Sequence, residues 1–113
     1  MPLAFWQALL LTTIIETPIY AWFYKKRKWW KISILSFLLN AVTLSFVWFI
    51  FFPSIADYAQ AFVSSELYVF AAEAIVFGEV YKKEGWRNAA VASAFANAAS
   101  AGIGLLLTFY IIP

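Results

Sequence analysis

Residues 16–45 read ETPIYAWFYKKRKWWKISILSFLLNAVTLS, and residues 73–102 read EAIVFGEVYKKEGWRNAAVASAFANAASAG. At an offset of 57 positions the two stretches share eight identities over thirty, without a gap. Glu16 falls on Glu73, Tyr24-Lys25-Lys26 on Tyr81-Lys82-Lys83, Trp29 on Trp86, Ser36 on Ser93, and Asn40-Ala41 on Asn97-Ala98. Apolar coincidences are cheap in a hydrophobic chain, but matches at Glu, Asn, Lys and Trp are not. The pattern is read as a tandem duplication, residues 1–57 and 58–113, folded as one compact unit.

Each half holds two long apolar stretches. The four stretches, 3–24, 32–52, 58–81 and 89–112, have 21 to 24 residues each. At about 1.5 Å per residue, each can cross a hydrocarbon core of roughly 30 Å. Helices are the form that satisfies its own backbone in lipid. The expected fold is an all-α membrane protein, a four-transmembrane-helix bundle made of two hairpins. An even helix count per repeat gives both copies the same orientation, with the pseudo-twofold axis along the membrane normal. Composition agrees. With 65% hydrophobic and 12% charged residues in 113, the chain has more apolar surface than so small a domain can enclose.

Charge sets the expected orientation. Lys25, Lys26, Arg27, Lys28 and Lys31 fill the first loop, Lys82, Lys83 and Arg87 the third, and these are all eight basic residues. The middle loop, 53–57, has none. The positive-inside rule then places the basic loops in the cytoplasm and both termini outside. Trp22, Tyr24, Trp29, Trp30, Tyr81 and Trp86 form an inner aromatic belt; Trp6, Trp48, Tyr58 and Tyr110 suggest an outer one. The start, Met1 to Phe5, has no basic residue, so the first apolar stretch reads as a retained helix, not a secretory signal. The basic KKRKWW segment reads first as a topology signal and secondly as an attraction for acidic lipids; its place beside apolar spans argues against nucleic acid.

The candidate site is polar and intramembrane. Glu16 and Asn40 both fall roughly 12–14 Å from the basic-loop boundary, on adjacent antiparallel helices, and Glu73 and Asn97 repeat them. Two Glu–Asn pairs at one level are expected. Ser36, Asn40 and Thr43 share a helix face, as do Ser93, Asn97 and Ser100. Pro18 removes the amide that would bond to the Ile14 carbonyl. No Lys or Arg lies at that depth, so each acid must be neutral and hydrogen-bonded, hold a cation, or meet a base on another chain. The plainer alternative is a Glu–Asn clamp fixing helix register.

The remaining acids carry less. Glu66 shares a face with Glu73 nearer the outer surface, where it either snorkels to headgroups or continues an outer polar path. Glu79 is spaced for an ion pair with Lys82 or Lys83, and Glu84 reads as a solvated loop charge. The fourth span is rich in small residues and belongs at the centre of the bundle or of an interface; the second carries Phe37, Leu38, Leu39, Leu44, Phe46 and Trp48 and faces lipid.

The chain has no Cys and no His. Disulfides, thiolate chemistry, the common zinc ligand sets and imidazole catalysis are excluded, and no metal site or cofactor is expected. No nucleophile or substrate loop accompanies the carboxylates, so an enzyme is not expected. The sequence favours a small non-catalytic subunit or scaffold of a larger membrane complex, with membrane lipids and other membrane chains, or further copies of itself, as partners. The alternative is a small proton or cation transporter or channel using the Glu/Asn cluster.

Overall fold

A computed structural model describes residues 5–107, apart from the side chains of Phe52 and Tyr58. The expectations for Tyr58, Tyr110, both termini and the outer ends of the first and last spans lie outside those residues. Four long helices run as α1 (Phe5–Phe23), α2 (Trp29–Phe46), α3 (Tyr58–Val80) and α4 (Gly85–Leu106), and no strand occurs among the described residues. Three of them, with their short extensions, are long and apolar enough to span a membrane: Trp29–Phe51, Ala59–Val80 and Lys82–Leu106. α1 has the length, at 19 residues. It carries Gln7, Thr12, Thr13, Glu16, Thr17 and Pro18 among its apolar residues.

The helix ends correct the hydropathy boundaries. Trp29, Trp30 and Lys31 open α2, and Arg87 lies in the first turn of α4, so none of them is in a loop. Hydropathy marks the part of a helix that meets lipid; the helix itself runs on into the headgroup layer. Beyond α2 the chain widens into a π-helical turn, Val47–Phe51, before one last turn, Phe52–Ser54. Pro53 lacks an amide hydrogen, and its ring presses on the carbonyl four residues back. A widened turn relieves that crowding. Asp57 then caps α3, its Oδ1 accepting from the amides of Ala59 at 2.9 Å and Gln60 at 3.3 Å. Gly85 supplies the positive φ, 86°, that starts α4 after the Lys82–Glu84 turn.

Pairings fix the direction of each helix. Asn40 reaches Thr13 while Phe5 meets Trp48 and Phe49, so α1 and α2 are antiparallel. Ser93 donates to the Phe70 carbonyl while Gly78 lies under the Trp86 ring, so α3 and α4 are antiparallel too. α1 packs along both α2 and α4, and α3 along α4, but α2 and α3 touch little. The long axis is 41 Å, enough for a bilayer core with its boundaries.

Much of the chain's polar side-chain content is inside, and many of its large apolar side chains are outside. Thr13, Glu16, Ser36, Asn40, Thr43, Ser65, Glu73, Ser93 and Asn97 are buried, while Trp22, Ile34, Leu38, Val42, Phe49, Leu67 and Phe95 face outward. Along α2 and into the π-helical turn the buried positions Ile32, Ser36, Asn40, Thr43 and Val47 follow one another every three or four residues, the helical repeat. Water would drive the opposite arrangement; hydrocarbon permits this one.

Candidate functional site

Four pairs of residues 57 positions apart meet along the line between α1 and α3. Glu16 stands beside Glu73. One turn on, Tyr20 stacks on Phe77, centroids 4.0 Å apart with planes 3° from parallel. Then Tyr24 lies 4.9 Å from Tyr81. At the basic-loop end the Arg27 guanidinium forks onto Glu84, Nε donating to Oε2 and Nη2 to Oε1, each at 2.9 Å. The spacing follows from α1 and α3 running parallel, with their residues rising at the same pitch.

Both acids are sealed in protein: Glu16 is 0% exposed and Glu73 1%. Their surroundings differ. Glu73 Oε1 accepts from the Tyr20 hydroxyl at 2.6 Å and the Asn97 amide at 3.3 Å. Glu16 Oε2 accepts from Ser100 at 2.9 Å. The other oxygen of each acid, Glu16 Oε1 and Glu73 Oε2, is buried without a donor. The expected Glu73–Asn97 pair is therefore present, whereas Asn40, though beside Glu16, donates to Thr13 Oγ1 at 3.3 Å and Ser36 Oγ at 3.4 Å. Its place at Glu16 is taken by Ser100 from the other hairpin, because α4 packs close on α1 while α3 stands away from α2. The lower halves of the two hairpins do match: Asn97 bonds to Ser93 Oγ at 3.1 Å as Asn40 does to Ser36. Thr43 turns back to the Leu39 carbonyl at 2.9 Å.

Above the acids, toward the middle loop, the four helices part around a cavity of about 120 Å³. Glu16, Asn40, Asn97 and Ser100 form its floor, and Glu66, Ser65 and Trp48 stand in its walls. Glu66 lines the cavity, on its wall. Below the acids the bundle is closed. Tyr20, Tyr24, Ile32, Phe77, Tyr81, Ala89, Ala92 and Ala96 fill the core, with Ile19, Phe23, Leu35 and Leu39 against it. The cavity is a blind pocket ending on carboxyl groups. Among the described residues no three His, Cys, Asp or Glu side chains come together as a metal site.

At the basic-loop end one expectation is corrected. Glu84 is not a free loop charge; it ties the first basic loop to the third, and Arg27 also lies 4.9 Å from the Tyr81 ring. The signal was in the offset of 57 residues, which sets Arg27 on Glu84. Glu79 does pair with Lys82, at 3.5 Å and exposed. Lys25 lies over Trp22 at 3.9 Å, and Lys28 and Lys31 near Trp30.

The Arg27 guanidinium holds the Glu84 carboxyl below the usual carboxylate range. A lowered folded value stabilises the fold above the unfolded value, near 4.3, and that stabilisation is lost as pH falls through the folded value. In detergent, Glu84→Gln is expected to lower the melting temperature by a few degrees at neutral pH. The difference from the parent should close as both are acidified below about pH 4. A constant difference down to low pH would mean that the ion pair is not its source.

Tyr20, Trp48 and Ser65 are the cavity and acid residues that sequence spacing missed. Tyr20 lies four residues after Glu16 on the same face, but its bond goes to the other repeat's acid. No family model, no curated protein and no solved structure matches this chain.

Proposed function

We propose that this protein is a small membrane transporter or channel for protons or another monovalent cation, with Glu16 and Glu73 as its ion-binding groups. The observation that carries the reading is a pair of adjoining, buried carboxyl groups, Glu16 and Glu73, of which Glu16 lines the floor of a cavity with no basic residue in its lining. Two adjoining carboxyls far from any positive group are held either by a shared proton or by a cation between them. Either occupant can exchange with the cavity. Glu73 is held by two donors from two helices, so it is the fixed partner; Glu16, with one donor and a face on the cavity, is the exchanging one.

Four spans, with α1 as the fourth, and descent from a duplicated hairpin belong to this proposal. The ladder 16/73, 20/77, 24/81, 27/84 supports the duplication, since a twofold axis between α1 and α3 brings equivalent residues face to face. The positive-inside rule puts the basic loops in the cytoplasm, both termini outside and the cavity mouth on the outer side. Lipid is the partner of the apolar exterior, and no catalytic step is assigned.

A subunit or scaffold role draws on a different observation. Ala94, Ala98 and Gly102 are exposed at four-residue spacing on α4, where another helix could approach closely. The acids themselves favour transport, because a partner's basic group has no approach to side chains this enclosed.

The test is flux in proteoliposomes. The parent should dissipate an imposed proton or monovalent-cation gradient, and Glu16→Gln, Glu73→Gln and the double variant should fall to the rate of protein-free vesicles while keeping normal abundance and helicity. A parent that conducts nothing under any gradient sinks the proposal. Double variants that lose co-purifying chains, with no flux to lose, would establish the scaffold role instead.

A further inference from the structure

The cavity holds more than the acid pair requires. A small inorganic ion needs oxygen ligands close on all sides, six or more for a hard divalent cation. Most of this lining offers carbon instead, with Leu11, Ile15, Leu44, Val69 and Leu105 among its walls. Stripping water from an inorganic ion against such walls is costly. Yet two carboxyls, Glu16 and Glu66, face the same space, and all eight basic residues lie at the other end of the bundle. Two further buried polar atoms on the cavity-lining residues have no hydrogen-bond partner, Trp48 Nε1 and Ser65 Oγ, and Ser65 is 2% exposed. The Trp48 indole stands edge-on to Phe5, centroids 5.8 Å apart, and the π-helical turn at Val47–Phe51 sets its position.

We propose that the cavity binds a monovalent organic cation, an alkylammonium of tetramethyl- to tetraethylammonium size, with its charge between Glu16 and Glu66 and its carbon body on the apolar walls. The inference rests on the reading of Glu16 as an ion-binding acid and names the class of ion. An alkylammonium has a low desolvation cost, which fits carbon walls, and its positive charge is attracted to carboxylates and to the Trp48 face alike. The volume, about 120 Å³, suits a compact cation of a few carbons rather than a large polycyclic one. A bound cation at Glu16 excludes a proton from the same oxygen, so entry of one displaces the other, and the site couples an organic cation to a proton without a second binding place.

Binding is measured by calorimetry on the full chain in lipid nanodiscs, with tetramethylammonium, tetraethylammonium and potassium as probes. One saturable site for the alkylammonium ions, with potassium weaker, is expected. Glu16→Gln should abolish it and Glu66→Gln weaken it. Trp48→Leu, which keeps both acids, should weaken binding about tenfold, and Trp48→Phe, which keeps a ring, by less. Proton flux is followed on the same protein variants reconstituted in proteoliposomes, without organic cation. Flux in the parent with no alkylammonium binding overturns this inference and leaves the ion-transport reading standing. Binding that survives both Glu16→Gln and Glu66→Gln also overturns it, since the charge would then lie elsewhere. Absence of both flux and binding overturns the two together.

Discussion

Phe77→Ala is expected to turn sealed proteoliposomes into leaky ones. Phe77 is 0% exposed and occupies the axis directly beneath the acid pair. It stacks on Tyr20 at 4.0 Å and lies 5.6 Å from Tyr24 and 5.9 Å from Tyr81. The cavity above ends on Glu16; what separates those carboxyls from the basic-loop face is this group of rings. Removing one ring leaves a void continuous with the acid floor, and neighbours that are themselves rigid rings cannot close it fully. Two effects follow. Stability falls by about 3–5 kcal/mol, as for other buried Phe→Ala changes. Vesicles loaded with a pH dye should also lose an imposed proton gradient much faster than with the parent protein. Phe77→Leu, with a smaller void, should leak less and fold better. Phe95→Ala is the control, since Phe95 stacks on Phe23 at 5.9 Å but is 61% exposed; vesicles carrying it should stay tight. Phe77→Ala vesicles as tight as those with Phe95→Ala would show that the aromatic stack is not the barrier.

The helical architecture was legible because long apolar stretches obey simple rules: in lipid they must be helical, and helical rise fixes which residues lie at one level. The offset of 57 residues sharpened this by marking which positions correspond. It could not forecast that equivalent positions would have different partners. The two hairpins are not packed symmetrically: α4 lies along α1, while α2 and α3 part around the cavity. That difference arises from side-chain size. α4 presents Ala89, Ala92 and Ala96 to its neighbours, all 0% exposed, where the equivalent positions on α2 are Ile32, Leu35 and Leu39. Small residues let one pair of helices close and thicker ones hold the other apart. The cavity, the crossing of Ser100 to Glu16 and the role of Trp48 all follow from that inequality, which spacing alone does not express. Tyr20 and Phe77 carry it into the site, because only one of two equivalent rings has a hydroxyl to give to an acid.

That inequality makes Asn40 and Asn97, which correspond at the offset of 57, unequal in energy. Asn97→Leu keeps the side chain's approximate volume and removes the amide that donates to Glu73 Oε1 at 3.3 Å, to the Ser93 carbonyl at 2.8 Å and to Ser93 Oγ at 3.1 Å. It leaves Glu73 with the Tyr20 hydroxyl alone. A hydrogen bond to a carboxyl group is worth about 1.5–3 kcal/mol, and a buried acceptor left short of donors costs more than the bond returned. The expected loss is about 2–3 kcal/mol of unfolding free energy. Asn40→Leu removes two longer bonds, to Thr13 Oγ1 and Ser36 Oγ, between neutral groups. Thr13 keeps its own bond to the Leu9 carbonyl at 2.9 Å. Its cost should be within about 1 kcal/mol, the usual range for neutral side-chain bonds between helices in a bilayer. Unfolding in mixed micelles, with Tyr20→Phe and Tyr20→Phe/Asn97→Leu added, completes the comparison. If the acid is what these groups serve, the Tyr20 and Asn97 losses will exceed their sum when combined, because the double variant strips Glu73 of both donors. Equal costs for Asn40→Leu and Asn97→Leu would mean that the two asparagines act as symmetric clamps and that Glu73 draws its stability from elsewhere.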